Sequence, residues 1–294
     1  MFDRIFANYL VDSGKLTTEN LRDIFSSQEQ KRVRLGVIAV SEKLMTIEQA
    51  EEVNQLQSVY DKRFGDIAVD KGYLTAEQVS RLLALQGNSF LAFVQSVIDS
   101  NYLNMEEIES ELNRYQKDNN FTLMNMEDLK SCDINRIISI FVYQQPSILQ
   151  SLCGVMVRTV ARLVDYHVYI KSPYEIKELP YQFLSMQELN GQHKILTAIS
   201  GSSDAMKEAA IGFAGEQYIE NEEDALDALC ELVNCVNGLL ATEMGTKNID
   251  LDMEVPHYYL EKGALRANSL FCLPVMIRGL EVDMIMALDQ EYSL

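Results

Sequence analysis

The chain has 294 residues, 47% apolar and 23% charged, an ordinary globular balance with room for two domains that each bury a core. Its net charge of −19 argues against binding nucleic acid, which needs Lys and Arg to displace counterions, and suits solubility or a basic protein partner. No run of about eighteen apolar residues occurs, the start MFDRIFANYL does not read as a signal peptide, and five scattered cysteines without a C-x-x-C pair read as reduced thiols, so no membrane association and a cytoplasmic location are expected.

From the first residue, one pattern recurs four times with a period of 29 residues: Thr17, Thr46, Thr75 and Asn104 occupy equivalent places, preceded by Leu16, Met45, Leu74 and Leu103. Each polar residue is a good helix N-cap, able to satisfy backbone N–H groups that lack a partner in the first turn. Three residues on come Asn20, Gln49, Gln78 and Glu107, of which the last three complete capping boxes or close analogues. Gly14 and Gly72 read as left-handed ends of a preceding short helix, with Lys43 and Asn101 in that place elsewhere. Each unit is therefore a helix, a tight turn and a helix. A single unit cannot bury its apolar stripe, so residues 1–117 are expected to stack as an all-α array.

Polar residues at 117–120 (KDNN) mark a boundary. A connecting helix is expected across 118–145, starting near Asn125 and running towards Phe141. The domain of residues 146–294 then opens with a helix from Pro146 to about Val164. A short strand at His167 to Ile170 follows, and then a hairpin of Phe183 to Leu189 and His193 to Ile199 around Asn190-Gly191. Gly201 to Asp204 caps a helix reaching Phe213, and Glu222 to Met244 forms a long helix. Ile249 to Val255, Ser269 to Ile277 and Leu280 to Leu288 read as strands, with Arg278-Gly279 at the tip of the last hairpin. Helices interleaved with hairpin-joined strands indicate α+β with a largely antiparallel sheet.

The long helix carries the chemistry. Leu226, Leu229, Val233, Val236 and Leu240 step by three and four and define one buried face. Asp227, Glu231, Asn234 and Gly238 fall on the roughly opposite side. Glycine inside a helix costs about 1 kcal/mol against alanine, which suggests that another backbone comes close to Gly238. No G-x-S-x-G, P-loop or H-E-x-x-H occurs, and His167, His193 and His257 show no ligand spacing.

Two resemblances follow from these residues. Arg34-Leu35-Gly36 opens a stretch that closes at Gln57, and Arg63-Phe64-Gly65 opens another that closes at Gln86. This tandem resembles the MshEN module of secretion and pilus ATPases, whose family binds cyclic di-GMP. The second stretch keeps Arg63, Gly65, Ala68-Val69, Gly72, Val79, Leu83 and Gln86, while the first departs at Lys43, Ala50 and Asn54. The resemblance implies that Arg34 and Arg63 face bases or phosphates and that Gly36, Gly65 and Gly72 let the ligand approach the backbone. The alternative is a set of structural repeats with no nucleotide site.

The order of elements over roughly 146–289, with Asp227, Glu231, Asn234 and Gly238 in register and Pro256 further on, resembles the CheX/CheC/FliY family of chemotaxis phosphatases. Pro256 follows Asn234 after twenty-one intervening residues, one fewer than the family's usual spacing. The resemblance implies a phosphatase for the aspartyl phosphate of a CheY-like response regulator. Asn234 would orient the water and Glu231 would pair with the regulator's lysine. Asp227 would support that contact, and the regulator would supply Mg²⁺, so that this chain needs no cofactor of its own. Some family members carry a second copy of the motif on the domain's first helix; here Ser147 to Val164 contains no Glu-x-x-Asn. Pairing of the sheet edge in a homodimer, and a non-catalytic signalling scaffold of the same fold, are the alternatives.

Overall fold

The computed structural model describes residues 1–28, 32–60 and 62–294. They pack as two units, Phe2–Asp133 and Ile134–Leu294.

The first unit is all-helical: α1 (Phe2–Asp12), α2 (Thr18–Gln28), α3 (Leu35–Ser41), α4 (Ile47–Tyr60), α5 (Phe64–Asp70), α6 (Ala76–Ala84), α7 (Ser89–Asp99), α8 (Met105–Asp118) and α9 (Leu123–Lys130). The turns after α1, α3, α5 and α7 each hold a left-handed residue, Gly14, Lys43, Gly72 and Asn101, with φ of 70°, 57°, 72° and 55°. Seven residues before the caps, the carbonyls of Leu10, Ala39, Ala68 and Val97 accept the N–H groups that close these turns. The next helix starts each time on a reciprocal cap: Thr17 with Asn20, Thr46 with Gln49, Thr75 with Gln78, Asn104 with Glu107. Leu16, Met45, Leu74 and Leu103, just ahead of the caps, are all buried. Phe2, Phe6, Phe90 and Tyr115 form an aromatic cluster at one end, with the Phe2 and Phe90 rings 5.0 Å apart.

The segment expected to form one connecting helix is instead broken. α9 stops at Lys130 and Cys132 turns left-handed, with φ of 59°. Ser131 Oγ donates to the Asp128 carbonyl and accepts from the Asp133 N–H, so local side-chain bonds replace the helix ladder.

The second unit begins with α10 (Ile134–Val142) and α11 (Ser147–Leu163), with Pro146 one residue ahead of the helix, where its missing N–H costs nothing. There follow β1 (Tyr169–Ile170), β2 (Tyr174–Tyr181), β3 (Phe183–Gly191), β4 (Ile195–Gly201), α12 (Ser203–Ala214) and α13 (Glu222–Gly245). The chain closes with β5 (Leu251–Met253), β6 (His257–Tyr259), β7 (Gly263–Ile277), β8 (Leu280–Leu288) and β9 (Tyr292–Ser293). All pairings are antiparallel, in the order β7, β8, β4, β3 across the centre. β1 and β2 line the outer side of β7, and β5 and β6 line the outer side of β3.

Away from its irregularities, the sheet sends side chains alternately to its two faces. Leu184, Met186, Leu196, Ala198, Cys272 and Ile285 gather on one face with Leu179, Tyr181, Tyr259 and Tyr292. The other face receives the helices, and there Ser185 Oγ donates to the Leu226 carbonyl of α13. α13 is long and apolar enough by composition to cross a membrane, but half of that window is buried inside the unit. Its buried Leu226, Leu229, Val233, Val236 and Leu240 each contribute about 1.5–3 kcal/mol of apolar burial. In the β3–β4 hairpin Gly191 alone is left-handed, with φ of 151°, and Asn190 is not. A Cβ on Gly191 would lie 2.2 Å from the Asp250 carbonyl oxygen, so the glycine is required by the close passage of the chain entering β5.

Candidate functional site on helix α13

α13 starts on an Asn221–Asp224 capping box, with Glu222, Glu223 and Asp224 in the first turn complementing the positive end of the helix. Its periodicity turns Asp227 and Glu231 to solvent and leaves Asn234 and Gly238 half-buried at the sheet margin. Among the described residues neither Asp227 nor Glu231 has an ion-pair or hydrogen-bond partner. Two carboxylates and a carboxamide thus lie along one side of the helix, in a chain that spends few cations on them.

Asn234 is held from below. Its Oδ1 accepts a hydrogen bond from Gln187 Nε2 at 2.8 Å. Gln187, on the helix-facing side of β3 and only 1% exposed, also donates to the Glu254 carbonyl at 2.7 Å and accepts from Asn237 Nδ2 at 2.9 Å. Asn234 Nδ2 has no partner among the described residues and is not among their buried unpaired atoms. Its two N–H donors remain available at the surface. Asn237 is fully buried, and its Oδ1 is left unpaired.

Pro256 lies beside this network. β5 and β6 both pair with β3, but three residues, Glu254, Val255 and Pro256, stand opposite the two residues Gln187 and Glu188. The ladder opens at this bulge, and the Glu254 carbonyl takes a side-chain donor instead of a backbone one. Gly238 differs from expectation. A Cβ there would meet only the Met253 side chain, at an ordinary 3.8 Å, so no backbone approaches it. The glycine keeps the surface beside Asn234 low.

Gln187, Asn237 and the Glu254 carbonyl are not evident from sequence, because Ser185 and Gln187 alternate with Leu184 and Met186 as a solvated strand face would. Cys230, next to Glu231, is buried, and burial pushes its thiol up to about 11, so it is not a thiolate at neutral pH. Among the described residues no group of three His, Cys, Asp or Glu side chains is placed to hold a metal ion.

The residues of the nucleotide expectation are occupied otherwise. The Arg34 guanidinium pairs with Asp99, and the Arg34 N–H donates to Gln95 Oε1 at 3.1 Å. Gln86 Nε2 donates to the Val33 carbonyl at 2.8 Å. A Cβ on Gly36 would lie 3.1 Å from the Phe64 ring, and one on Gly65 would lie 2.7 Å from Val79 Cγ1. These glycines serve side-chain packing between helices, not ligand approach, and Gly72 serves its turn. Arg63 and Gln57 lie at or near the surface. The groove of about 500 Å³ beside Gly65 is flanked by Asp66 and Asp70, which repel phosphate, and its Lys62 is already paired with Asp70 at 2.9 Å.

Comparison with known proteins finds similarity within the second unit. The family model described as chemotaxis phosphatase CheX matches residues 183–277, which include β3 and all of α13. Among solved structures, a chemotaxis protein CheX from Desulfovibrio desulfuricans is 10% identical, with 49% of this chain and 99% of that one covered and a TM-score of 0.43. CheX from Vibrio vulnificus is 15% identical, with coverages of 49% and 99% and a TM-score of 0.42. The CheX–CheY–BeF3–Mg²⁺ complex from Borrelia burgdorferi is 16% identical, with coverages of 48% and 97% and a TM-score of 0.37. No curated protein sequence matches the chain. The C-terminal half thus carries a CheX-like α+β domain, and the N-terminal half is all-α.

Proposed function

We propose that the second unit hydrolyses the aspartyl phosphate of a CheY-like response regulator. The water oxygen bonds to phosphorus, the bond from phosphorus to the aspartyl oxygen breaks, and inorganic phosphate and a free carboxylate leave. An acyl phosphate is already reactive, so the task left to this chain is to position water in line. The Asn234 carboxamide donates and accepts hydrogen bonds while remaining neutral, and does not repel the phosphoryl group. Glu231, three residues earlier on the same side of α13, pairs with the regulator's lysine and sets the docking angle. Asp227 extends that contact, and Gly238 leaves room for the partner. The Mg²⁺ that neutralises phosphoryl charge belongs to the regulator, in the cytoplasm.

One observation carries this reading: an unpaired acid and an anchored amide share the open side of the helix within the residues that match the CheX model. In the first unit, the left-handed turns and reciprocal caps support four stacked helix-turn-helix copies over 1–117, joined through 118–145 to the domain of 146–294. The test is to add the protein to phosphorylated CheY-type regulators with Mg²⁺ and follow loss of phosphate. Faster decay than the regulator's own is expected, whereas binding without acceleration would leave a scaffold.

A further inference from the structure

The amide orientation of Asn234 is not free, and the cause lies one layer beneath it. A carboxamide can turn over and exchange its donor and acceptor ends, so its orientation is set by its neighbours. Here the chain of neighbours ends on a group that has no choice. The Glu254 carbonyl is backbone and only accepts, so the amide end facing it at 2.7 Å must be Gln187 Nε2. The other hydrogen of that nitrogen then points to Asn234, 2.8 Å away, and requires an acceptor there. Asn237 Nδ2, donating to Gln187 Oε1 at 2.9 Å, holds the opposite end of the same amide. All three bonds of Gln187 are made inside the fold, at a residue with 1% exposure, where an unpaired amide costs about 1–3 kcal/mol.

We infer that Gln187 is a positioning residue for the reaction. It relays the direction of the Glu254 carbonyl to Asn234, turning Oδ1 inward and presenting Nδ2 to the partner. This rests on the reading of Asn234 as the group that orients water. Inverting Asn234 would put an acceptor where a donor now faces the water to be positioned. The bulge at Pro256 completes the device, because it frees the Glu254 carbonyl from the ladder to β3.

Gln187→Glu tests the relay. At neutral pH the introduced carboxylate only accepts, so Asn234 should turn Nδ2 inward. The expected result is a fall in kcat for regulator dephosphorylation of about tenfold or more, with KM within about twofold of wild type. On lowering the pH from about 8 to 6, a buried carboxyl takes up a proton and regains a single O–H donor, for which the Glu254 carbonyl and Asn234 Oδ1 compete. Activity relative to wild type at each pH should therefore recover in part. Loss of fold alone would move KM and the melting temperature without such recovery. If the carboxylate prevents folding, Gln187→Met carries the comparison: kcat falls at unchanged KM, with no pH-dependent recovery. Unchanged kcat in a folded variant would overturn the inference.

A readout independent of turnover separates this inference from the phosphatase reading. In the wild-type protein the Asn234 side-chain NH₂ should exchange with water rapidly by NMR, while the Gln187 NH₂ is protected. If no regulator is dephosphorylated but this contrast is seen, the relay stands and the activity falls. A protected Asn234 NH₂ overturns the relay whatever the activity.

Discussion

Gln187 Nε2 reaches the Glu254 carbonyl at 2.7 Å, two residues ahead of Pro256, so a strand-central glutamine ties α13 to the segment that carries the proline. Asn234 of that helix accepts from the same nitrogen at 2.8 Å. Loss of the Asn234 carboxamide removes the N–H donors that it presents on the open side of α13. Asn234→Ala should lower the rate of assisted dephosphorylation by about 100-fold or more while the protein still binds the regulator; single-turnover decay of labelled phospho-regulator measures this.

Glu231 makes its contribution at the interface. A charge-assisted hydrogen bond is worth about 1.5–3 kcal/mol, so Glu231→Ala should raise KM for the regulator by roughly tenfold or more, and added salt should weaken the wild-type complex. Affinity of the regulator by titration in 50–500 mM salt, on the order of a decade in ionic strength, checks both.

Gly238 has only the end of the Met253 side chain near it, at 3.8 Å. Gly238→Ala should therefore stabilise the protein by up to about 1 kcal/mol through helix propensity, with activity retained. Gly238→Leu should fold as well but block the partner's approach to Asn234. Thermal melts together with the phosphatase assay separate the two effects.

Gly65 shows the reverse. Its missing Cβ would sit 2.7 Å from the β-branched Val79, whose χ1 is stiff. Gly65→Ala should destabilise the first unit by about 1 kcal/mol or more, and adding Val79→Ala should restore part of the loss in a double-mutant cycle.

Burial raises the Asp283 carboxyl above its ordinary value, with the Tyr174 hydroxyl donating to it at 3.1 Å as a partial offset. For an acid shifted upward the folded state prefers the protonated form. Stability from this group is thus fully present below the unfolded value and is lost as pH rises through the folded one. Asp283→Asn should raise the melting temperature at pH 7, with the gain shrinking as pH falls towards about 4. Melts at three pH values decide it.

The residues that specify elements by local chemistry were legible from sequence. The cap within Gly201 to Asp204, Arg278-Gly279 as a tight turn and the apolar step of α13 all follow from neighbours within a few positions. The exposure of Glu231 and the line-up with Asn234 followed from helix geometry alone. β2 escaped because its charges and Pro180 read as loop, and it is a strand only by virtue of pairing along β7. β6 and β9 are too short to carry a pattern, and the two halves of the broken helix at Cys132 look continuous in apolar spacing. Gln187 and Asn237 escaped for a deeper reason. A polar residue in a strand and another in a helix show no sign that they face each other, and only the tertiary pairing buries both.

The rims of the sheet bear on self-association. On one side β2 carries Glu175, Lys177 and Glu178, a register shift between Ile176 and Glu178, and Pro180; on the other, Pro256 sits in the bulge between β5 and β6. Neither margin offers an uninterrupted row of amide donors, and β2 adds charged side chains that must stay hydrated. Lateral addition of strands from a second molecule is thereby discouraged, and crowded chains of this protein should remain dispersed instead of templating one another into fibres.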